Sequence, residues 1–245
     1  MKKYLLVTLL FLSDYAQAQL TRITDKNTIY WLQSIANVSF NAKWGLYAEH
    51  QWRQVGDLAS PQQRLLRLGL TYKLHSDVNL HMGYGFVKTY AYGEYPIAAD
   101  GVFPEHRLYE QIALKQQINS WAIQHRFRLE QRWLAKLSNS QVANWVYLNR
   151  IRYQFRAQKT LVSNFKNHVF GAVANEVFIG AGNQLGANIF DQNRFSVHIG
   201  YAANKKYTFE IGYLYQILQQ GKLITNTNVV MQHNTGVLCS AQFSF

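Results

Sequence analysis

Polar and apolar residues alternate with a period of two through most of the chain. In residues 121–133, WAIQHRFRLEQRW, one set of positions carries Trp121, Ile123, Phe127, Leu129 and Trp133. The other set carries Gln124, Arg126, Arg128, Glu130 and Arg132. Side chains of a strand point alternately to two faces, whereas a helix would set Phe127 beside Glu130 and Gln131 and lose the segregation. Residues 206–217 repeat the pattern, with Tyr207, Phe209, Ile211, Tyr213, Tyr215 and Ile217 opposed to Thr208, Glu210, Gly212 and Gln216. So do residues 66–74, where Leu66, Leu68, Leu70, Tyr72 and Leu74 oppose Arg67, Gly69, Thr71 and Lys73.

This periodicity predicts strands near 28–40, 43–55, 63–74, 79–91, 105–117, 121–133, 144–156, 166–179, 193–203, 206–218 and 232–245. Strands of soluble sandwiches are usually about five or six residues long. These are long enough to cross a hydrocarbon layer at a tilt of about 45°. The apolar face ends in aromatic residues, as at Trp121 and Trp133, which is the girdle of a barrel with its apolar side outward. Short connections are expected at Asn41-Ala42, His75–Val78, Gln117–Ser120 and Asn204-Lys205. Long ones are expected at 56–62, 92–104, 134–143, 180–192 and 219–231, with 157–165 intermediate. Alternating short turns and long loops separate the periplasmic and extracellular ends of such barrels. The fold class expected is therefore all-β: one transmembrane antiparallel up-and-down β-barrel of about 10–12 strands.

The two ends of the sequence extend this picture. Met1-Lys2-Lys3, the apolar run Tyr4–Leu12 and Ala16-Gln17-Ala18 have the order of a secretory signal, and the run is too short to span a bilayer. Residues 1–18 are expected to be cleaved, leaving 19–245 as a single outer-membrane β-barrel domain. Residues 19–27 would then form a short twelfth strand or thread the lumen. The final stretch Ala241-Gln242-Phe243-Ser244-Phe245 alternates and ends in Phe. Phe243 and Phe245 are the expected signal to the outer-membrane assembly machinery. Outer-membrane lipid and lipopolysaccharide are the other expected partners.

Composition narrows the chemistry. Aromatic residues make up 15% and prolines number three, which favours long uninterrupted strands. The formal charge is +12. Export argues against nucleic acid as its cause and leaves an anionic membrane surface or an anion pathway. Cys239 is the only cysteine, so no internal disulfide or cysteine metal cluster can form. Neither a metal nor a cofactor is expected.

Several motifs resemble an uncharacterised bacterial family, domain of unknown function 2490. They are Glu105–Gln111 (EHRLYEQ), His125–Trp133 (HRFRLEQRW), Asn149–Tyr153 (NRIRY), Asn175–Phe178 (NEVF) and Phe190–Arg194 (FDQNR). The resemblance covers nearly the whole mature chain. It implies an outer-membrane barrel of a Gram-negative bacterium and implies no activity.

The charged residues fall on the polar faces. Arg53, Arg67, Arg107, Arg126, Arg128, Arg132, Arg150, Arg152 and Arg156 alternate with apolar residues, and Glu49, Glu130, Glu176 and Glu210 are available partners, Glu176 with ambiguous parity. Ionised groups are costly in a bilayer, so they should pair inside the lumen. That network either stiffens the barrel as a structural element or lines a narrow anion-preferring pore. The alternative is a lipid-modifying enzyme with its site at the extracellular rim. That reading needs a Ser–His pair, and Ser196 and His198, two residues apart on one face, are too loosely spaced to form a recognised motif. Glu110 breaks the alternation by pointing outward with Leu108 and Ile112, and a β-bulge is expected to turn it inward, the alternative being a lateral site near Glu110.

Overall fold

The computed structural model describes residues 21–99, 101–182, 185, 189–204, 206–224 and 228–245, with the backbone alone for 222–224. The expected leader and residues 19–20 lie outside these. Eleven strands follow one another: β1 (Thr21–Ser39), β2 (Trp44–Val55), β3 (Ser60–His75), β4 (Val78–Thr89), β5 (Phe103–Ile118), β6 (Trp121–Ser138), β7 (Gln141–Ser163), β8 (Asn167–Ala181), β9 (Phe190–Ala203), β10 (Tyr207–Ile224) and β11 (Asn228–Ser244). Each pairs antiparallel with the next, and the sheet closes. An odd number of up-and-down strands brings the first and last together in the same direction. The seam is accordingly parallel, from Thr21↔Asn228 to Asn37↔Ser244. Closure removes the unpaired edge that an open sheet would expose.

All eleven expected strands are present, but several are longer than expected. Residues 21–27 are neither a twelfth strand nor a lumen thread; they extend β1 along β11. The expected long loop 134–143 is a tight turn, because β6 runs on to Ser138 and β7 starts at Gln141, with Asn139 and Ser140 at φ 51° and 59°. Asn tolerates that left-handed backbone better than most residues. Residues 219–224 and 228–231 likewise belong to β10 and β11.

The barrel has a turn end, carrying the β1–β2, β3–β4, β5–β6, β7–β8 and β9–β10 connections together with Phe245. The opposite, loop end carries the β4–β5 connection, whose described residues 90–99 and 101–102 fold into the mouth. Buried Tyr92 donates its hydroxyl proton to Gln232 Oε1 at 2.8 Å, and Gln220 Nε2 donates to the carbonyl of Tyr95. The loop thus reaches the far wall at β10 and β11.

Side-chain parity follows the sequence pattern. Leu66, Leu68, Leu70, Leu108, Ile112, Phe127, Leu129, Ile151, Ile199 and Ile211 are exposed on the outside. Outward aromatics cluster near both rims. Trp44 packs on Tyr72 (4.7 Å between ring centroids) towards the turn end, and Trp133 packs on Tyr147 (5.2 Å) towards the loop end. Trp31 instead is buried inside with Ile29, Val55 and Leu214. Inside, Tyr109 lies over a shelf made by paired Gly69 and Gly83, where a Cβ on either would come within 2.9 Å of its hydroxyl.

Candidate functional site: a charge belt and cavity inside the barrel

The strands β5, β6 and β7 carry the densest alternation of charge, and the barrel turns those faces inward. Glu130 on β6 is completely buried and is the hub. Arg150 Nη2 and Arg152 Nη1, both from β7, reach it at 2.5 and 2.6 Å. Arg128 Nη1 lies at 3.8 Å, and Arg67 Nη2 arrives from β3, three strands away, at 3.9 Å. Arg67 also holds Glu49 of β2 at 2.7 Å, where Gln33 and Tyr47 donate to the same carboxylate. Arg152 passes on to Glu176 of β8 at 2.7 Å, and Arg126 joins there at 2.8 Å. Glu49, Arg67, Arg126, Arg128, Glu130, Arg150, Arg152 and Glu176 therefore form one continuous network across the lumen.

A second group shares Glu105, which receives Arg107 at 2.6 Å and Arg132 at 2.5 Å. Asp191 bonds Arg150 at 2.7 Å. Glu210 stands apart towards the turn end, with Arg156 at 3.0 Å and His198 at 3.6 Å. Arg53 differs from all of these. It bonds the Gln51 and Gln63 side chains and stacks on Trp31, 3.9 Å from the ring centroid.

Charges buried this deeply lose their hydration, and only close pairing with further hydrogen bonds offsets that loss. The belt shows such pairing: the Arg150 and Arg152 forks each bridge two carboxylates. Arg fits this task because its planar fork offers five donors.

Above the belt, at the loop end, lies a cavity of about 1070 Å³. Its wall includes Arg53, Arg67, Arg107, Arg132, Arg150, Arg152 and Arg194, with Glu105 and Asp191 as its carboxylates. Tyr92 and Ala98 of the 90–102 loop help to line it.

Strict alternation missed four participants. Asp191 is brought in by a register shift between β8 and β9, where Phe178 pairs with Gln192 and Ile179 with Phe190, so Asp191 is the extra residue. A similar shift between β2 and β3 turns Gln62 inward, where it accepts the Trp31 indole proton at 2.8 Å. Such insertions re-aim side chains and leave no mark in a period-two pattern. Glu105 and Arg194 sit at correct inward parity but near the expected strand starts, where the pattern is weakest. Glu176 proves to be luminal; its parity was ambiguous because β8 is apolar on both faces, Val173 and Val177 outward and Phe170 and Phe178 inward.

The bulge expected at Glu110 does not exist. Pairing is continuous from Leu108 to Ile112 on both sides of β5. Glu110 remains on the outer face, where Gln131 Nε2 donates to it at 3.1 Å.

Ser196 and His198 come closer than their spacing suggested. Ser196 Oγ lies 2.8 Å from His198 Nε2 because both side chains lean together on the inner face of β9. Three features weigh against a nucleophile. His198 Nδ1 is buried without a hydrogen bond, so Glu210 does not orient the ring. Arg156 holds that carboxylate instead. Neither Ser196 nor His198 lines the cavity. Among the described residues, no group of three or more His, Cys, Asp or Glu side chains could hold a metal ion.

Residues 28–227 match the family model for the protein of unknown function DUF2490, and the chain belongs to that family. The β-domain of the Bordetella autotransporter BrkA is a solved structure similar to this chain, at 9% identity and a TM-score of 0.43. The match covers 73% of this chain and 78% of that one. No curated protein matches.

Proposed function

We propose that this protein is an outer-membrane barrel whose lumen is sealed at mid-height by the Arg/Glu belt. The observation that carries the reading is the approach of Arg67 to Glu130 across the lumen at 3.9 Å, between side chains at most 5% exposed. A pair on neighbouring strands would line a wall; this one bridges from β3 to β6. A structural role for the network is thereby favoured over a narrow anion-preferring pore, which would need the bridge to part.

The exposed outer leucines and isoleucines, with aromatics at both rims, support membrane embedding. In this reading residues 1–18 direct export, Phe243 and Phe245 present the last strand to the assembly machinery, and lipopolysaccharide contacts the loop-end rim. Phe243 sits on the outer face against Tyr207 and Phe209, at 6.1 and 6.4 Å between centroids.

Cell fractionation with heat-modifiable gel migration tests the location, and single-channel recording tests the seal. Outer-membrane recovery of a heat-modifiable species that conducts no steady current is the expected result. Recovery in a soluble fraction contradicts the membrane reading, and steady current contradicts the seal.

A further inference from the structure

Most buried arginines of the belt have a carboxylate partner. Arg53 and Arg194 do not: among the described residues, neither lies within ion-pair distance of an Asp or Glu. They are also neighbours in space. Both stack on Trp31, Arg53 at 3.9 Å and Arg194 at 4.8 Å from its ring centroid, and both line the 1070 Å³ cavity. Arg53 is 4% exposed and bonds only neutral amide oxygens. Arg194 donates one bond to Gln192 at 3.2 Å, while its buried Nε has no partner.

Two guanidinium groups gathered on one indole, neither in ion-pair contact with a carboxylate among the described residues, repel each other and leave the Arg194 Nε donor unused. Burial makes this costly, because an unpaired buried charge keeps its full desolvation penalty. A ligand bearing an oxyanion would relieve both problems, since carboxylate and phosphate groups accept the two-pronged Arg fork. The cavity is of the size that holds a small molecule, roughly 300–1,000 Å³ for known pockets. Its excess of arginine over carboxylate would draw such a ligand in.

We infer that Arg53 and Arg194, both stacked on Trp31, form a binding site for a carboxylate or phosphate group of a small molecule in the loop-end cavity. The site is independent of whether the lumen conducts, because both arginines lie on the cavity side of the belt.

Isothermal titration of the purified, folded barrel tests this, with citrate and inorganic phosphate as soluble probes and sodium chloride matching ionic strength. A separate arm uses micelles containing lipid A, whose phosphates could supply the same chemistry from a lipid. The variants are Arg53→Gln, Arg194→Gln and, as a control outside the cavity, Arg156→Gln. Heat-modifiable migration verifies folding of each. At least a tenfold loss of citrate or phosphate affinity in Arg53→Gln and Arg194→Gln, with Arg156→Gln unchanged, establishes the site with a soluble ligand. Binding of lipid A alone, lost in the same two variants, establishes it with a headgroup. If Arg53→Gln fails to fold, Arg194→Gln and Arg194→Lys carry the test, with Lys partly restoring affinity. Absence of binding to all probes, or equal binding by folded wild type and folded Arg194→Gln, overturns the proposal.

Discussion

Arg67 and Glu130 meet across the inside of the barrel, their side chains 3.9 Å apart and three strands removed from each other in the sheet. Glu130 also neutralises Arg150 and Arg152. Its removal would leave those guanidinium groups buried beside one another. Glu130→Ala should therefore destabilise the folded barrel by up to roughly 3–5 kcal/mol, the usual cost of breaking a buried pair by removing one partner, even though Asp191 and Glu176 still hold Arg150 and Arg152. Unfolding in urea, followed by heat-modifiable migration, measures it. A loss under about 1 kcal/mol, typical of an exposed pair, would mean that the belt is well hydrated.

The outer face should respond in the opposite sense. Leu129 is exposed on it, near the middle of β6. Leu129→Arg should cost roughly 2–4 kcal/mol if the position lies near the bilayer midplane. Glu110, two strand positions from Leu108 on the same face, is an acidic side chain there and, among the described residues, accepts from Gln131. Glu110→Leu should fold at least as well as wild type, and Gln131→Leu should weaken folding by leaving Glu110 alone. The same urea titration in detergent or liposomes reads all three. A destabilised Glu110→Leu would assign the Glu110–Gln131 pair a role beyond tolerance.

The Ser196–His198 contact gives the enzymatic alternative a definite test. Hydrolytic chemistry requires an oriented base and room at the nucleophile. The ring has no acceptor at Nδ1, and Ser196 does not face the cavity. A fluorophosphonate probe should not label the folded protein, and Ser196→Ala should leave lipid composition of the membrane unchanged. Labelling lost in Ser196→Ala would revive the enzyme reading.

Orientation follows from which end carries the 90–102 loop. Single cysteines placed at 94–99, in a background lacking Cys239, should react with an impermeant maleimide on intact cells. Cysteines at 76–77, in the β3–β4 turn, should react only after the outer membrane is opened. The reverse pattern would turn the barrel over.

Much of this architecture was legible because the barrel's two faces differ in polarity. Where they do, as at Leu129 against Arg128 and Glu130, parity alone assigned the lumen. Where both faces are apolar, as in β8, parity was silent about Glu176. Asp191 and Gln62 enter through local register shifts, which depend on backbone pairing and leave no periodic trace. Strand lengths were underestimated where polar residues such as Ser138 and Gln141 resemble loop composition although they continue the ladder. The Ser196–His198 contact depended on rotamers, which spacing does not encode.

The seal is the central claim, and current through single barrels tests it most directly. Purified, folded wild-type protein in planar bilayers under a salt gradient should show no steady conductance. The double variant Arg67→Ala/Glu49→Gln removes the bridging side chain together with its nearest partner, so that no buried carboxylate is stranded by the change. It should show discrete conductance steps. A steady anion-selective current from wild type, reduced or reversed when Arg126, Arg128 and Arg150 are replaced by glutamine, would contradict the seal and make the barrel a pore.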